Sequence, residues 1–381
     1  MEVVDYELYA VSGKSQLLKL ETDAGLVGWG EPVIEGKKPS TAAATRTLLE
    51  EYLVGEDPLD VQRHWERMYR GGFYRGGPVL MAAIAGIDQA LWDLKGKHFG
   101  APVYELLGGR ARDRVQLYQH VHGETPEEHA EAAREAVADG FRVLKTSPKE
   151  PMRGVDSPAV LERVVENVAA IREAVDDDVM VGIDFHGRAS KAMAHRLAGA
   201  FEPYDPMFYE EPVLPEHGEA FESIAAGTSV PIATGERLFS RWDFKEVLAS
   251  GAIDVAQPDV SHAGGITETK KIADMAAAYD VALAPHCPLG PVSLAACLQV
   301  DACAPNALVQ EQVVHRGDGV PAWVENPELF DYSDDGAYVS LPEKPGLGVA
   351  VDEDALAEVD ADSANWSAPR WHHDDGSVAE W

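Results

Sequence analysis

The chain has 381 residues, with 32 Lys and Arg against 65 Asp and Glu, and a formal net charge of −33. A surface of that sign repels nucleic acid and anionic membranes, so neither is expected as a partner. At 45% hydrophobic residues the chain can still bury a sizeable core, so the charge is not read as disorder, and the length suits a large barrel plus a second domain.

The opening, "MEVVDYELYAVSGK", is acidic and alternating and lacks the basic and apolar regions of a signal peptide. No apolar run approaches the roughly 18 residues of a membrane span. Cys287, Cys297 and Cys303 are few and odd in number, which suggests a reducing compartment, and a cytoplasmic protein is expected. Acidic residues are spread along the whole chain, as in "TPEEHAEAAREAVADG" (125–140). This points to adaptation to high salt, where cations screen self-repulsion; an ordinary acidic enzyme is the alternative.

In chain order, residues 1–35 alternate as strands, "VVDYELYAVSG", "SQLLKLETDAG" and "VGWGEP", with Asp23-Ala24-Gly25 as a hairpin turn. Residues 41–109 read as helices: "TAAATRTLLEEYLVG", "PLDVQRHWERMYR" and "GPVLMAAIAGIDQALWDLKGKHFG". The last is apolar or small on nearly every face and is expected to be buried. Residues 1–112 are thus an α+β domain.

From about residue 113 short apolar runs alternate with helical segments. The runs are "VQLYQHV" (115–121), "FRVLKT" (141–146), "VMVGIDF" (179–185), "MFYEEP" (207–212), "IATGE" (232–236), "VAQPD" (255–259), "VALAPH" (281–286) and "ALVQEQV" (307–313). They lie mostly 23 to 28 residues apart, with helices such as 157–175 and 265–280 between. That spacing implies parallel βαβ units, and eight of them a closed barrel over 113–340. Residues 341–381 leave the repeat. The final "WHHDDGSVAEW" carries Trp371 and Trp381, which favours docking onto the protein.

The strand ends carry the chemistry. Their polar residues are Lys145, Asp184 with His186, Glu210 with Glu211, Glu236, Asp259, His286 and Glu311. In a barrel these ends converge on one mouth. Alone, each has a plain structural reading: a Glu paired with a nearby Arg, a turn histidine at 286, a solvated Lys145, or Glu211 turned away from Glu210 by the two-residue period. Together they crowd like charges that something must neutralise. Asp184, Glu210 and Glu236 recur every 26 residues, one per consecutive strand. That is a natural cradle for a hard cation such as Mg²⁺. Zinc is not favoured, because no HExxH or CxxC occurs.

At this level the chain resembles the enolase superfamily, in its mandelate-racemase-like branch, and within that its acid-sugar dehydratases, nearest the galactonate dehydratases. The matching text includes "ETDAGLVGWGEPVIEG" (21–36), "GFYRGGPVLMAAIAGIDQALWDLKGK" (72–97), "DFHGR" (184–188), "EEPVL" (210–214), "GERLFSRWDFK" (235–245), "QPDVSHAGGITE" (257–268), "LAPHCPLGP" (283–291), "QEQ" (310–312), "KPGLGV" (344–349) and "SVAEW" (377–381). The resemblance covers nearly the whole chain, with residues 312–340 matching weakly.

The resemblance implies a mixed α/β fold: a modified TIM barrel, (β/α)7β, under an α+β cap completed by the C-terminal tail. It implies Mg²⁺ held by Asp184, Glu210 and Glu236, and removal of a proton beside a carboxylate. Racemases of the branch carry Lys-x-Lys on the second strand; here the text is Lys145-Thr146-Ser147, and Ser147 cannot be a base. The base is then expected at His286, oriented by Asp259, with His186 as the acid for the leaving hydroxyl. Glu311, expected to be protonated by the crowd of carboxylates, would bind the substrate carboxylate beside Lys145. Ser147 would border the pocket, and Tyr74 and Arg75, next to Phe73 on a cap loop, would reach distal hydroxyls. The expected reaction is loss of water from an aldonate: galactonate, with gluconate and xylonate as alternatives. A racemase or cycloisomerase is less favoured, and a non-catalytic binding barrel still less. Members of the family are commonly homo-oligomers.

Overall fold

The structure is a computed structural model that describes residues 1–11, 14–315, 319–359 and 365–381. Ser12 and Gly13, at the end of the first expected strand, lie outside the described residues, as do 316–318 and 360–364.

Three strands, β1 (Val3–Ala10), β2 (Gln16–Thr22) and β3 (Val27–Gly30), form an antiparallel sheet. Three helices follow: α1 (Lys38–Tyr52), α2 (Val61–Arg70) and α3 (Pro78–Phe99). α3 is buried on nearly every side, as its composition predicts, because it packs on β3, α1 and α2 and also on the barrel. Two of its buried polar residues bond across elements. Asp93 accepts from the Trp29 and Leu347 backbone N–H groups and pairs with Lys97; Gln89 accepts from Glu31 N and donates to Ser261 Oγ.

A short helix α4 (Val103–Leu106) leads to β4 (Arg114–Gln116) and β5 (Gln119–His120). Six more units follow: α5 (Pro126–Ala138), β6 (Val143–Thr146), α6 (Pro158–Ala174), β7 (Met180–Asp184), α7 (Lys191–Phe201), β8 (Tyr209–Glu210), α8 (Phe221–Ala225), β9 (Ile232–Thr234), α9 (Arg241–Ser250), β10 (Val255–Ala256), α10 (Ile266–Ala278), β11 (Ala282–Leu283) and α11 (Pro291–Cys303). β5 to β11 form one parallel sheet in sequence order. The eighth expected strand bridges both of its edges, pairing Ala307 with Leu283 and Gln310 with Leu117. The barrel is closed, with seven helices for eight strand positions. β12 (Tyr338–Ser340) pairs with β4, and α12 (Glu353–Ala357) lies beside the first sheet, where Glu353 meets Lys19.

The interior explains why the mouth is polar. Tyr118, Val143, Phe208, Ala233, Val255, Ala284 and Val309 form one buried cluster, one side chain from almost every strand. β7 contributes Gly182, where a Cβ would stand 2.7 Å from the Phe208 ring. By the two-residue period, the layer above this floor is His120, Lys145, Asp184, Glu210, Gly235, Gln257, His286 and Glu311.

Two barrel helices are capped from the other domain. α10 and α11 begin after Gly265 and Gly290, which have no side chain to cap with. Asp88 of α3 accepts from Thr267 N at 2.9 Å, and Glu31 accepts from Gly290 N at 2.9 Å and Ser293 N at 3.0 Å. Any Cβ at 265 would fall 2.4 Å from the Asp88 carboxylate, and one at 290 would fall 2.7 Å from Glu31. Caps of this kind contribute about 0.5–2 kcal/mol each.

Asp301 of α11 is buried, and neither carboxyl oxygen has a hydrogen-bond partner among the described residues. Burial pushes its pKa to about 8, with Arg112 pulling weakly the other way. The unfolded chain releases this proton near pH 4 and the folded protein keeps it to about 8, so stability falls as pH rises through that window. Asp301→Asn should therefore gain on the native chain from pH 5 to pH 8 in urea melts, by up to about 1.4 kcal/mol per pH unit. A difference that does not change with pH would refute this.

Candidate active site

The structure brings the strand-end groups into one buried cluster. Asp184 and Glu210 are register partners on β7 and β8, and Glu236 lies just beyond β9. Lys145 stands among the carboxylates, with Nζ 2.6 Å from Glu210 Oε1, 3.1 Å from Glu311 Oε1 and 3.7 Å from Asp184 Oδ2. Gln257 Nε2 donates to Glu210 Oε2 at 2.8 Å. One ammonium serves three carboxylates. Burial and the neighbouring Asp184, Glu311 and Glu236 push Glu210 up to about 8 despite Lys145. For Asp184, burial is outweighed by His186 and Lys145, and its carboxyl is held below the usual range.

Whether these groups suit a divalent cation can be judged from the donors. The three cradle residues offer only oxygen, and Glu236 Oε2 accepts no well-formed hydrogen bond among the described residues. The cluster carries more carboxylates than cations, and the crowding of like charges raises Glu210. A hard cation supplies the missing charge and the missing partner, so the residues fit Mg²⁺. A second group, Asp259, His262 and His286, has ligand atoms within 4.8 Å of one another and could also hold an ion. Its plainer reading is one carboxylate shared by two imidazoles. Asp259 Oδ2 is 2.8 Å from His286 Nδ1 and 3.3 Å from His262 Nδ1.

The two expected histidines sit on opposite sides of the mouth, after β7 and β11, four positions apart in an eight-position barrel. His286 Nε2 lies 3.2 Å from Glu236 Oε2 and 3.7 Å from Glu311 Oε2. Burial alone would lower its pKa; Glu311, Glu236 and Asp259 outweigh it and hold the ring well above the ordinary histidine range. His186 Nε2 lies 3.3 Å from Asp184 Oδ2, and burial draws its pKa down. Its place is not a product of strand period. β7 ends at Asp184, and His186 turns back with φ 54°, its N–H donating to Asp184 Oδ1 and its carbonyl accepting from Arg237.

Two expectations need correction. Glu311 is not protonated by its neighbours: burial would raise it, but Lys145, His286 and His120 hold it well below the carboxylate range. The crowd of carboxylates is real, but this one faces the cations. Tyr74 and Arg75 are not gathered at the mouth. Tyr74 is 87% exposed and Phe73 91%, and among the described residues the Arg75 guanidinium hydrogen-bonds Gly72 O, because the loop between α2 and α3 projects into solvent. Ser147 is buried just past the end of β6.

Other residues gained a place that sequence reasoning did not give them. His120 Nε2 is 2.7 Å from Glu311 Oε1, and the alternation Tyr118, His120, His122 on the first strand was the signal for it. Arg237 lies 3.3 Å from Glu236 and 3.8 Å from Glu211, whose other oxygen accepts from Thr234 and Gly235. From the cap, Glu35 Oε2 comes within 3.6 Å of His262 Nε2. Nothing in the one-dimensional pattern brings residues 35 and 262 together. A cavity of about 580 Å³ is lined by Val11, Lys14, Pro288, Leu289, Trp323 and Trp366 among others; none of the cradle carboxylates lines it, and Pro288 and Leu289 follow closely on His286 in sequence.

Comparison with known proteins gives the family. Residues 11–108 match the mandelate racemase / muconate lactonizing enzyme N-terminal domain, and residues 128–355 match the enolase C-terminal domain-like family. D-galactonate dehydratases of Ralstonia nicotianae and Variovorax paradoxus are 50% and 49% identical, each aligned over 100% of both chains. An enolase from Agrobacterium radiobacter, solved with sodium and L-malate, superposes with a TM-score of 0.90 at 30% identity over 100% of both chains. A mandelate racemase/muconate lactonizing enzyme from Jannaschia sp. CCS1 gives 0.88 at 32% identity, covering 97% of this chain and 99% of its own. The chain belongs to the enolase superfamily, in its mandelate racemase and muconate lactonizing branch, and within that branch to the galactonate dehydratase-like hydro-lyases.

Proposed function

We propose that the protein removes water from an aldonate, D-galactonate foremost, to give a 2-keto-3-deoxy-aldonate. The observation that carries this reading is the pair of histidines across the mouth, bracketing the carboxylate cradle, with Ser147 where a second base would be needed for racemisation. Asp184, Glu210 and Glu236 would hold Mg²⁺, which when bound offsets the charge that grows on the substrate carboxylate as its α-proton leaves. With the Glu236 charge offset, one of the groups that raise His286 is removed, and the ring takes the C2 proton at Nε2, since Nδ1 is engaged by Asp259. The C2–H electron pair passes into the carboxylate group and then forms the C2–C3 double bond. The C3–O bond breaks, and the hydroxyl departs as water with a proton from His186. The enol then tautomerises to the 2-keto acid. Glu311 and Lys145 fix the charge at the carboxylate end, and Ser147 borders the pocket.

In this reading residues 1–112 and 341–381 form the lid, and residues 113–340 the catalytic barrel. Tyr74 and Arg75 would act on substrate only if their loop folds inward. Incubating acid sugars with Mg²⁺ and measuring 2-keto acid tests the substrate. Turnover of D-gluconate or D-xylonate alone would move the reading to those relatives, and racemised product without dehydration would end it.

The reading extends to habitat and assembly. Among the described residues no helix is long and apolar enough to cross a membrane, and all three cysteines are free and buried, which supports a reducing cytoplasm. The exposed Phe73 and Tyr74 support a homo-oligomer, to be tested by light scattering. The charge of −33 supports a high-salt protein. Its melting temperature should rise between about 0.1 and about 2 M KCl as repulsion is screened. An unchanged or lower value in molar salt would rule that out.

A further inference from the structure

The two histidines are held differently. The His286 ring is oriented by a 2.8 Å hydrogen bond from Nδ1 to Asp259. His186 has no counterpart: its Nδ1 is buried without a hydrogen-bond partner among the described residues, and its Nε2 stands 3.3 Å from Asp184 without forming a good bond. The backbone of His186 is pinned, by its N–H on Asp184 Oδ1 and its carbonyl on Arg237, yet neither contact fixes the plane of the imidazole.

What does lie on that plane is the tail. The Trp381 ring is 6.1 Å from the His186 ring, with only 24° between their planes, within the range of offset stacking. Trp381 is itself supported. Trp366 packs on it at 5.3 Å, and the Arg188 guanidinium lies 5.9 Å from its ring and 4.9 Å from Trp371. Arg188 is buried and anchored on the Pro148 carbonyl, just past the end of β6. The aromatic residues at 366, 371 and 381 therefore form a wall against the residues that follow Asp184.

We propose that Trp381 is a positioning residue for His186, its indole face setting the plane from which the imidazole protonates the departing hydroxyl. This rests on the reading of His186 as the acid. The tail would then serve the C3–O cleavage and not the C2–H cleavage. In D₂O with Mg²⁺ and the substrate found in the acid-sugar panel, two quantities separate the steps: product formed, and deuterium at C2 of recovered substrate. Trp381→Ala should lower turnover roughly ten- to a hundredfold, raise deuterium incorporated per product formed, and change KM little. Trp381→Phe should restore most of both. His186→Asn is the reference and should raise the same ratio further. If His186→Asn raises the ratio and Trp381→Ala does not, whether or not its turnover falls, the inference is overturned alone. If neither variant raises it, the assignment of His186 falls and the inference with it.

Discussion

His286→Asn should lower turnover by about 10²–10⁴-fold, the usual contribution of a positioned base, and should abolish deuterium incorporation at C2. Asparagine keeps the approximate size and a hydrogen bond toward Asp259, so the loss reports the base and not a collapsed pocket. Among the described residues the nearby basic groups are engaged elsewhere, His262 between Asp259 and Glu35. Lys145 is committed to Glu210 and Glu311, Ser147 is no base near neutral pH, and His186 stands across the barrel. A near wild-type kcat on the true substrate would remove His286 from the mechanism. Retained C2 exchange with lost dehydration would instead move it to the acid role.

Removing the cation should be equally severe. EDTA should abolish activity and Mg²⁺ should restore it, and Glu236→Gln should weaken Mg²⁺ binding by at least about 100-fold, a ligand counting for more than the outer partners for which that loss is typical. Activity is not the only readout. Mg²⁺ at 100 times its Kd should raise unfolding stability by about 2.7 kcal/mol, measured against KCl of matched ionic strength so that general screening cancels. Activity surviving EDTA, or no difference between the salts, would leave the carboxylates to Lys145 and Arg237 and sink the metal assignment. Glu236 is the best probe of the three because Lys145 compensates Glu210 and Asp184 directly, whereas Glu236 faces the less buried Arg237 and His286.

Much of this arrangement was legible because a barrel converts sequence period into position. Once eight strands are counted, the residue two places beyond each floor side chain must reach the mouth, and Lys145, Asp184, Glu210, His286 and Glu311 follow. The same rule would have yielded His120, which was passed over because its strand ends on Val121. It fails where the chain leaves the strand. His186 depends on a left-handed turn, and Glu35 reaches His262 only through packing of the cap. The ionisation of Glu311 was also beyond the pattern. The number of carboxylates is written in the sequence, but which of them faces the lysine is decided by register and closure. Loops with few contacts, such as the one bearing Tyr74, carry no positional information at all until something covers them.

The borrowed helix caps bear on how such a protein could be re-engineered. The segment from Asp259 to Gly265 leads into the helix start held by Asp88, and the segment from His286 to Gly290 into the one held by Glu31. Asp259 and His286, the pair proposed to take the proton, thus lead at their downstream ends into segments held by residues of the first domain. Exchanging lid loops between relatives to change sugar preference would succeed only if positions 31 and 88 travel unchanged with their glycines at 290 and 265. A chimera that breaks either match would loosen the proposed base while appearing to alter only selectivity.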